Sequence, residues 1–182
     1  MTKEEFLKEI SQTLFKVKAE KLANLFAETQ AINQLLELTF YPKKEIAFRV
    51  AWILETVYYK NPQAFVIHLD DFKSAYCQQK NLSCQRHFTK IMMDITSPKN
   101  EIYVRLVNTG DFEAVTETTF EWLIDPKAPV AVQSNCLDIL CNLSGRYDWI
   151  KDELVFQTEH LLKNGSAAIQ SRGKKILRKL IV

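Results

Sequence analysis

Apolar and polar positions repeat at a fixed interval in the C-terminal part of the chain. Residues 132–140 and residues 169–177 share one pattern: an aliphatic residue, then Gln-Ser, a small residue in the fifth position, and Ile-Leu at the end. The segments start at residues 132 and 169 and are therefore 37 residues apart. A fixed period of this length is typical of proteins whose supersecondary units bury their apolar faces on their neighbours. The pattern predicts a repeat protein, and it predicts architecture rather than function.

Proline and glycine divide the apolar stretches into lengths that suit helices. All five prolines lie between these stretches, and three of the four glycines fill similar gaps. The intervals 42–62, 126–145 and 145–165 each fit one helix and a short turn, since proline is tolerated in a first turn and glycine just past a helix end. Residues 102–107 have strand character but no partner strand, so we expect a short helix or a connection there. The sequence predicts an all-α fold.

Two stretches carry signals for a helix start. Thr2 and Glu5 form a capping box that begins the first helix. The stretch of residues 62–79 has Asn61 as its N-cap and Pro62 in its first turn. It places four large apolar side chains on one face. These four are Phe65, Leu69, Phe72 and Tyr76. Both stretches are predicted to be amphipathic helices.

The repeat extends upstream through weaker matches. The small residues Cys136 and Gly173 align with Ala51 and Phe88, which gives successive spacings of 37, 48 and 37 residues. The longer middle interval predicts an insertion near residues 97–110. Four helical hairpins and an N-terminal helix then account for nearly the whole chain.

The segment 129–140 resembles the second helix of a HEAT or armadillo repeat, which opens near a proline and runs through apolar, small and paired leucine-like positions. The resemblance spans roughly residues 42–181. It implies an α-α superhelix, or solenoid, of about four stacked helical hairpins, whose second helices line a concave surface that holds a partner. The chain departs from the HEAT pattern because it lacks the regular Asp and Arg that form a ladder in that family.

Composition indicates the class of protein and the cellular compartment. At 182 residues and 47% hydrophobic content, the chain fits a single α-solenoid domain over residues 1–182 with a continuous core. The charged first ten residues argue against a signal peptide, and no apolar run approaches the roughly 18 residues of a membrane span. Four cysteines without a CxxC motif need not pair in a reducing compartment. We therefore expect a cytoplasmic protein.

The net charge is +2, but the cations are unevenly distributed. From residue 160 onward the chain carries six cations and no acid. Residues 167–181 predict a strongly amphipathic helix whose polar face carries Arg172, Lys174, Lys175, Arg178 and Lys179. These cations suit contacts with phosphates. The alternative, which we favour, is a solvated outer face whose charges complement the negative end of the helix dipole.

Two predicted helices carry aromatic side chains opposite their main apolar face. They are Phe48, Trp52 and Tyr59 in helix 45–59, and Trp149 and Phe156 in helix 147–162. An interior helix of a stacked solenoid contacts neighbours on both sides, so we expect these second faces to be buried. The alternative is an exposed aromatic patch that anchors a partner.

Residues that suit catalysis or metal binding are sparse. Cys77, Cys84 and His87 can be drawn as a metal site, but no fourth ligand stands at a recognised spacing, and free buried cysteine is the commoner fate. No G-x-S-x-G elbow or glycine-rich phosphate loop is present in the sequence. We expect no catalytic set, no metal and no cofactor.

One branch of HEAT-like proteins, the alkylpurine DNA glycosylases, resembles this architecture and uses a concave-face Trp with an Asp one helical turn on. Here no Trp is followed four residues later by Asp: Trp122 precedes Asp125 by three residues, and Trp149 precedes Glu153. The longer acid does not place its charge at the same point. A DNA-binding protein related to this branch is the alternative function.

We predict a non-enzymatic helical-repeat binding module that holds a protein or peptide partner on its concave face. The expected contacts are Arg49, Trp52, Gln133, Trp149, Gln170 and the five cations between residues 172 and 179. Gln133 and Gln170 hold equivalent repeat positions, so they could bind extended peptide backbone or make hydrogen bonds within the repeat stack. Nucleic acid is the second partner class, through the basic helix, and no membrane partner is expected. A homodimer through the apolar second faces is a third interpretation.

Overall fold

The computed structural model describes residues 3–11, 16–29 and 32–181, and every regular element in these ranges is helical. The helices are α1 (Lys3–Ser11), α2 (Lys16–Thr29), α3 (Ile32–Leu38), α4 (Lys44–Lys60), α5 (Pro62–Phe65), α6 (Leu69–Gln78), α7 (Leu82–Ile95), α8 (Val104–Thr109), α9 (Glu113–Ile124), α10 (Val130–Leu143), α11 (Asp148–Asn164) and α12 (Ala167–Ile181). None of them is both long and apolar enough to cross a membrane. The all-α prediction is confirmed.

The predicted helix 62–79 is interrupted by one turn of 3₁₀ helix, Val66–His68, between α5 and α6. The predicted cap is present, since Asn61 Oδ1 accepts a hydrogen bond from the Ala64 backbone N–H at 3.2 Å. The four apolar side chains of this stretch are buried as expected. Val66 and Ile67 are β-branched and disfavour an α-helix, and no packing compensates because Ile67 is 74% exposed.

The predicted insertion consists of turns over residues 97–103 followed by α8. Tyr103 and Val107 are buried and attach this segment to the core. A short helix therefore stands where the sequence predicts a short helix or a connection. The predicted capping box is not tested, because Thr2 lies outside the described residues, but α1 begins at Lys3 and buries Phe6 and Ile10.

The described residues form two compact units, residues 1–88 and residues 89–182, and the division falls within α7. Unit 1 is built around α4, which packs against α1, α2 and α3. From Tyr58 on α4, an aromatic row continues through Phe65 and Phe72 to Phe88, with successive ring centroids 5.2 or 5.3 Å apart. A single domain over the whole chain stays a prediction.

Unit 2 is built around α10, which packs against α9, α11 and α12. The small residue at the aligned repeat position of α12 explains how closely this helix approaches α11. A Cβ on Gly173 would lie 3.1 Å from side-chain carbons of both Leu162 and Thr158 on α11. The aligned residue Cys136 is fully buried in α10, as are the upstream residues Ala51 and Phe88 in α4 and α7. The four aligned positions are therefore core positions of four helices.

Candidate partner-binding surface

We call α4, α7, α10 and α12 the second helices, because each carries one of the four aligned core residues. A polar contact joins each of the last three to the one before it. In three of the four, the residue that directly precedes the aligned position reaches back to the previous second helix. The three pairs, which we call rungs, are His87 with Glu55, Asn135 with Thr89, and Arg172 with Asp138.

The rung in unit 1 is a buried pair of titratable side chains. His87 Nδ1 lies 2.5 Å from Glu55 Oε2, and the Phe48 ring lies 5.2 Å from the imidazole ring. Both partners of the pair are nearly buried. Because His87 is held by Glu55, it serves the packing of α7 on α4.

In unit 2 the rung of Asn135 is followed by one further contact between α10 and α7. Asn135 Nδ2 donates to Thr89 Oγ1 at 3.0 Å, and Asn142 Nδ2 donates to Thr96 Oγ1 at 3.4 Å. The donors and the acceptors are both seven residues apart, so they lie on one face of α10 and one face of α7. Sequence reasoning missed this ladder; the polar residue before three of the four aligned core positions is a signal for one side of each rung, but it does not identify the partner.

The rung between α10 and α12 is ionic. Arg172 Nη1 lies 2.7 Å from Asp138 Oδ2. Burial raises the pKa of the Asp138 carboxyl, although the charges of Arg172, Lys175 and Lys179 act in the opposite direction. Lys179 Nζ also lies 3.9 Å from the sulfur of Cys141, whose pKa is raised by burial. The stripe of Arg172, Lys175 and Lys179 is therefore directed toward α10 and not wholly toward solvent.

The two repeat glutamines bind the ends of their own hairpins. Gln133 Nε2 donates to the carbonyl oxygens of Leu123 and Asp125, at 3.1 and 3.4 Å, where α9 ends. Gln170 Nε2 donates to the carbonyl oxygen of Leu162 near the end of α11. Carbonyls at a helix end lack partners within the helix, so both glutamines act as C-terminal caps supplied by the next helix. The hydrogen bond within the stack is the contact that the structure contains.

Arg49 and Trp52 are half-buried in α4. Arg49 Nη1 donates to the backbone carbonyls of Ile10 and Ser11, at 2.7 and 2.9 Å, and so caps the end of α1. This guanidinium group is therefore part of the unit's own framework.

The expected burial of the aromatic second faces is wrong for three of the five side chains. Tyr59, Trp149 and Phe156 are 45%, 43% and 64% exposed, whereas Phe48 and Trp52 are half-buried. In α11 the reason is that Ile150 and Leu154 face the rest of unit 2, and the aromatic stripe lies on the other side. Trp149 contacts the Phe120 ring at a centroid distance of 5.4 Å.

Three cations of α12 lack a direct ion pair in the described part of the chain, although the charge of Lys175 acts on the Asp138 carboxyl. Lys174, Lys175 and Arg178 are exposed, and none of them forms an ion pair or a hydrogen bond with another described residue. The neighbouring helix α11 has the opposite charge, with exposed Asp148, Asp152, Glu153 and Glu159. Between α11 and the end of α12 lies an open groove of about 350 Å³, lined partly by the apolar Phe156 and Ile181.

The candidate metal ligands are used elsewhere. Burial raises the pKa of the Cys84 thiol to about 12, and its sulfur contacts the Thr39 carbonyl oxygen at 3.9 Å. Cys77 is half-buried, and His87 is held by Glu55. Among the residues that the structure describes, no group of three His, Cys, Asp or Glu side chains is arranged to hold a metal ion.

The Trp and acid pairs weighed for glycosylase chemistry have local roles. Trp122 is buried, and Asp125 Oδ1 accepts from the Lys127 backbone N–H at 2.8 Å in the turn after α9. Glu153 Oε1 accepts from Gln157 on the exposed side of α11.

One family model, described as a HEAT repeat domain, matches residues 6–180. No curated protein and no solved structure matches the chain. The matched range covers nearly all of the sequence and includes α4, α7, α10 and α12. The chain therefore belongs to the HEAT repeat domain family.

Proposed function

We propose that this chain is a non-enzymatic helical-repeat scaffold that holds an acidic segment of a protein partner on the face of its second helices. In a repeat superhelix that face is the concave one, and it offers a large contact area on a rigid frame. The observation that carries the proposal is the set of exposed, unpaired cations Lys174, Lys175 and Arg178 on α12. We place this activity in the cytoplasm, where unpaired thiols are the ordinary state of cysteine.

The rigidity of this surface supports the proposal. Arg172 is fixed by Asp138, and Gln170 ties the start of α12 to the end of α11. The cations that follow these contacts along α12 project from a backbone that is already ordered, so less conformational entropy is lost when a partner binds. An acidic side chain can bind there without displacing an existing ion pair of Lys174 or Arg178.

The charges of α11 favour a protein over nucleic acid. Duplex DNA carries about one negative charge per 1.7 Å of its axis, so a bound duplex needs cations along its whole footprint. Asp152, Glu153 and Glu159 are exposed on the helix beside α12 and would repel a phosphate backbone. A short acidic peptide can contact α12 alone, and the apolar Phe156 and Ile181 beside it suit a mixed protein surface.

Fluorescence anisotropy tests the proposal with three labelled probes at low and moderate salt. The probes are a peptide of alternating Glu, Ser and Leu, the same peptide with Gln in place of Glu, and a short DNA in duplex and single-stranded form. We expect the Glu peptide to bind and the Gln peptide not to bind. The triple variant Lys174→Glu/Lys175→Glu/Arg178→Glu should lose this binding by at least about tenfold, because three attractive contacts become repulsive.

A matched control has the same change of charge elsewhere in unit 2. Lys99→Glu/Arg105→Glu/Lys127→Glu also replaces two lysines and one arginine, all of them exposed, and it should bind the peptide as the wild type does. Equal losses in both variants would mean that net charge alone drives binding, and the assigned surface would be wrong. Binding of DNA that weakens with salt and disappears in the first variant would replace the protein partner by nucleic acid.

A further inference from the structure

A second groove opens in unit 1 between α3 and α6, and it has a volume of about 290 Å³. On one side it is lined by residues 33–40 and on the other by residues 71–78. The wall from α6 spans seven residue steps, or about 10 Å and two helical turns, whereas the other wall passes from α3 into the turn that holds Phe40. This volume is at the lower end of the range for pockets that enclose small molecules, so the groove suits an anchoring side chain better than a whole ligand.

The floor of the groove is apolar and partly uncovered. Leu36 and Ala75 are buried beneath it, whereas the Phe40 ring is 43% exposed. Covering a water-exposed aromatic ring with another apolar group removes apolar surface from water and therefore stabilises the complex. The groove therefore favours a partner with an apolar side chain that fits against Phe40.

The rim of the groove is acidic on both walls. Glu37 on α3 and Asp71 on α6 are exposed, and no lining residue is basic. Neither carboxylate forms an ion pair with another described residue; the neighbouring Asp70, by contrast, is paired with Lys73 at 2.7 Å. An apolar floor between two unpaired carboxylates is complementary to an apolar side chain with a cation on each side.

One end of the groove is already fixed. Gln79 Nε2, directly after α6, donates to the Thr39 carbonyl oxygen at 3.4 Å, and Thr39 Oγ1 donates to the Leu36 carbonyl oxygen at 2.6 Å. Both Gln79 and Thr39 are buried. These bonds hold the ends of the two walls together, so the groove exists before a partner binds.

We propose that this groove binds a cationic segment of a protein partner, in which one large apolar side chain contacts Phe40 and flanking Lys or Arg residues pair with Glu37 and Asp71. Two turns of groove accommodate such an anchor and its flanking cations on one face of a helix, since positions three and four apart project together. The site lies in unit 1 and takes a positively charged segment. This proposal therefore does not depend on the proposed binding of an acidic segment to α12.

The test uses peptides of about ten residues whose central Leu stands between two Lys residues three before it and four after it. In a second peptide both Lys residues are Glu, and in a third the Leu is Ser. We expect fluorescence anisotropy to show binding of the first peptide and at least about tenfold weaker binding of the other two. The variant Glu37→Lys/Asp71→Lys should lose the first peptide and bind the Glu peptide instead.

Two further variants separate the groove from general charge and from folding. Glu117→Lys/Glu121→Lys makes the same change of charge on exposed positions of α9 and should bind as the wild type does. Ser74→Trp fills the groove without changing its charge, and it should weaken the Lys peptide while circular dichroism shows unchanged helix content. Binding that survives in both the charge-reversed and the filled variants would overturn the assignment.

The remaining outcomes also decide the question. No binding at about 1 mM peptide would overturn the proposal, because an affinity weaker than that corresponds to less than about 4 kcal/mol. Equal binding of the Lys and Glu peptides would show that charge is not recognised. Sedimentation tests whether the chain associates with itself. Self-association that Glu37→Lys/Asp71→Lys abolishes would identify a second copy as the occupant and overturn the assignment of a separate partner.

Discussion

Replacing Gly173 by leucine should destabilise the last hairpin, because α12 approaches α11 most closely at this residue. A Cβ there would lie 3.1 Å from Leu162 Cδ2 and 3.1 Å from Thr158 Cγ2. Both distances are shorter than ordinary contact between carbon atoms. Thr158 is fully buried, so its side chain cannot move away without disturbing its neighbours, and Leu162 is half-buried.

Two effects of opposite sign determine the magnitude. Glycine inside a helix costs about 1 kcal/mol relative to alanine, and leucine recovers most of this. Inserting carbon atoms into a packed core costs about 1–3 kcal/mol, and leucine adds four carbons at a position where the first is already too close. We expect a net loss of about 2 kcal/mol for Gly173→Leu. Alanine, with one added carbon, should stay within about 1 kcal/mol of the wild type.

Urea unfolding followed by far-UV circular dichroism measures the difference, with Gly145→Leu as the matched control. Gly145 lies in the turn after α10, and a Cβ there meets no other atom within 4 Å. This variant should change the free energy of unfolding by less than about 0.5 kcal/mol. For a chain of this size, Gly173→Leu should lower Tm by about 4–8 °C. If both leucine variants were equally stable, the close approach of α11 and α12 would be refuted.

Three further predictions concern the contacts of the second helices. Arg172→Ala leaves the Asp138 carboxylate half-buried without its partner and should cost about 1 kcal/mol in urea unfolding, whereas Lys174→Ala should cost less than about 0.5 kcal/mol; equal costs would contradict the ionic rung. Burial raises the pKa of the Asp138 carboxyl in the folded state above its ordinary 3.8. The folded state therefore binds this proton more tightly than the unfolded state does. As the pH falls from neutral toward 3.8, the wild type should gain stability relative to Asp138→Asn, which has no such proton to bind. Thermal unfolding across that range checks the gain, and a difference that does not change with pH would refute it. Gln133→Leu and Gln170→Leu should each cost about 1 kcal/mol by leaving helix-end carbonyls unpaired, and their effects should add because they cap different hairpins; chemical denaturation of the double variant measures this, and a clearly non-additive loss would contradict separate caps.

The fold was predictable where burial follows sequence periodicity. Cys136 and Gly173 mark equivalent core positions because a helix that packs on two neighbours needs a small residue at its closest approach. The long interval between the middle repeats predicted the position of α8, since residues in excess of the repeat length form an insertion. These inferences use only the spacing of residues along one chain.

The exposure of α11 could not be predicted in the same way. The sequence shows two apolar faces on this helix, one with Ile150 and Leu154 and one with Trp149 and Phe156. Which face meets a neighbour depends on how the helix is rotated within the unit, and periodicity is the same for both. The partners of the rungs depend on the same rotation, so Arg172 and Asp138 could not be paired from the sequence.

Positions that recur between the two best-matched helices serve the fold, whereas some of the positions that differ are exposed. Gln133 and Gln170 recur and both cap the preceding helix. Lys174, Lys175 and Arg178 stand 37 residues after Leu137, Asp138 and Cys141 and share no residue type with them. Leu137 is fully buried because α10 packs against α9, α11 and α12, whereas α12 packs against α10 and α11 and leaves Lys174 exposed. The hairpin uses no ion pair of Lys174 or Arg178, so under the proposed function these two charges are free to determine which partner α12 binds.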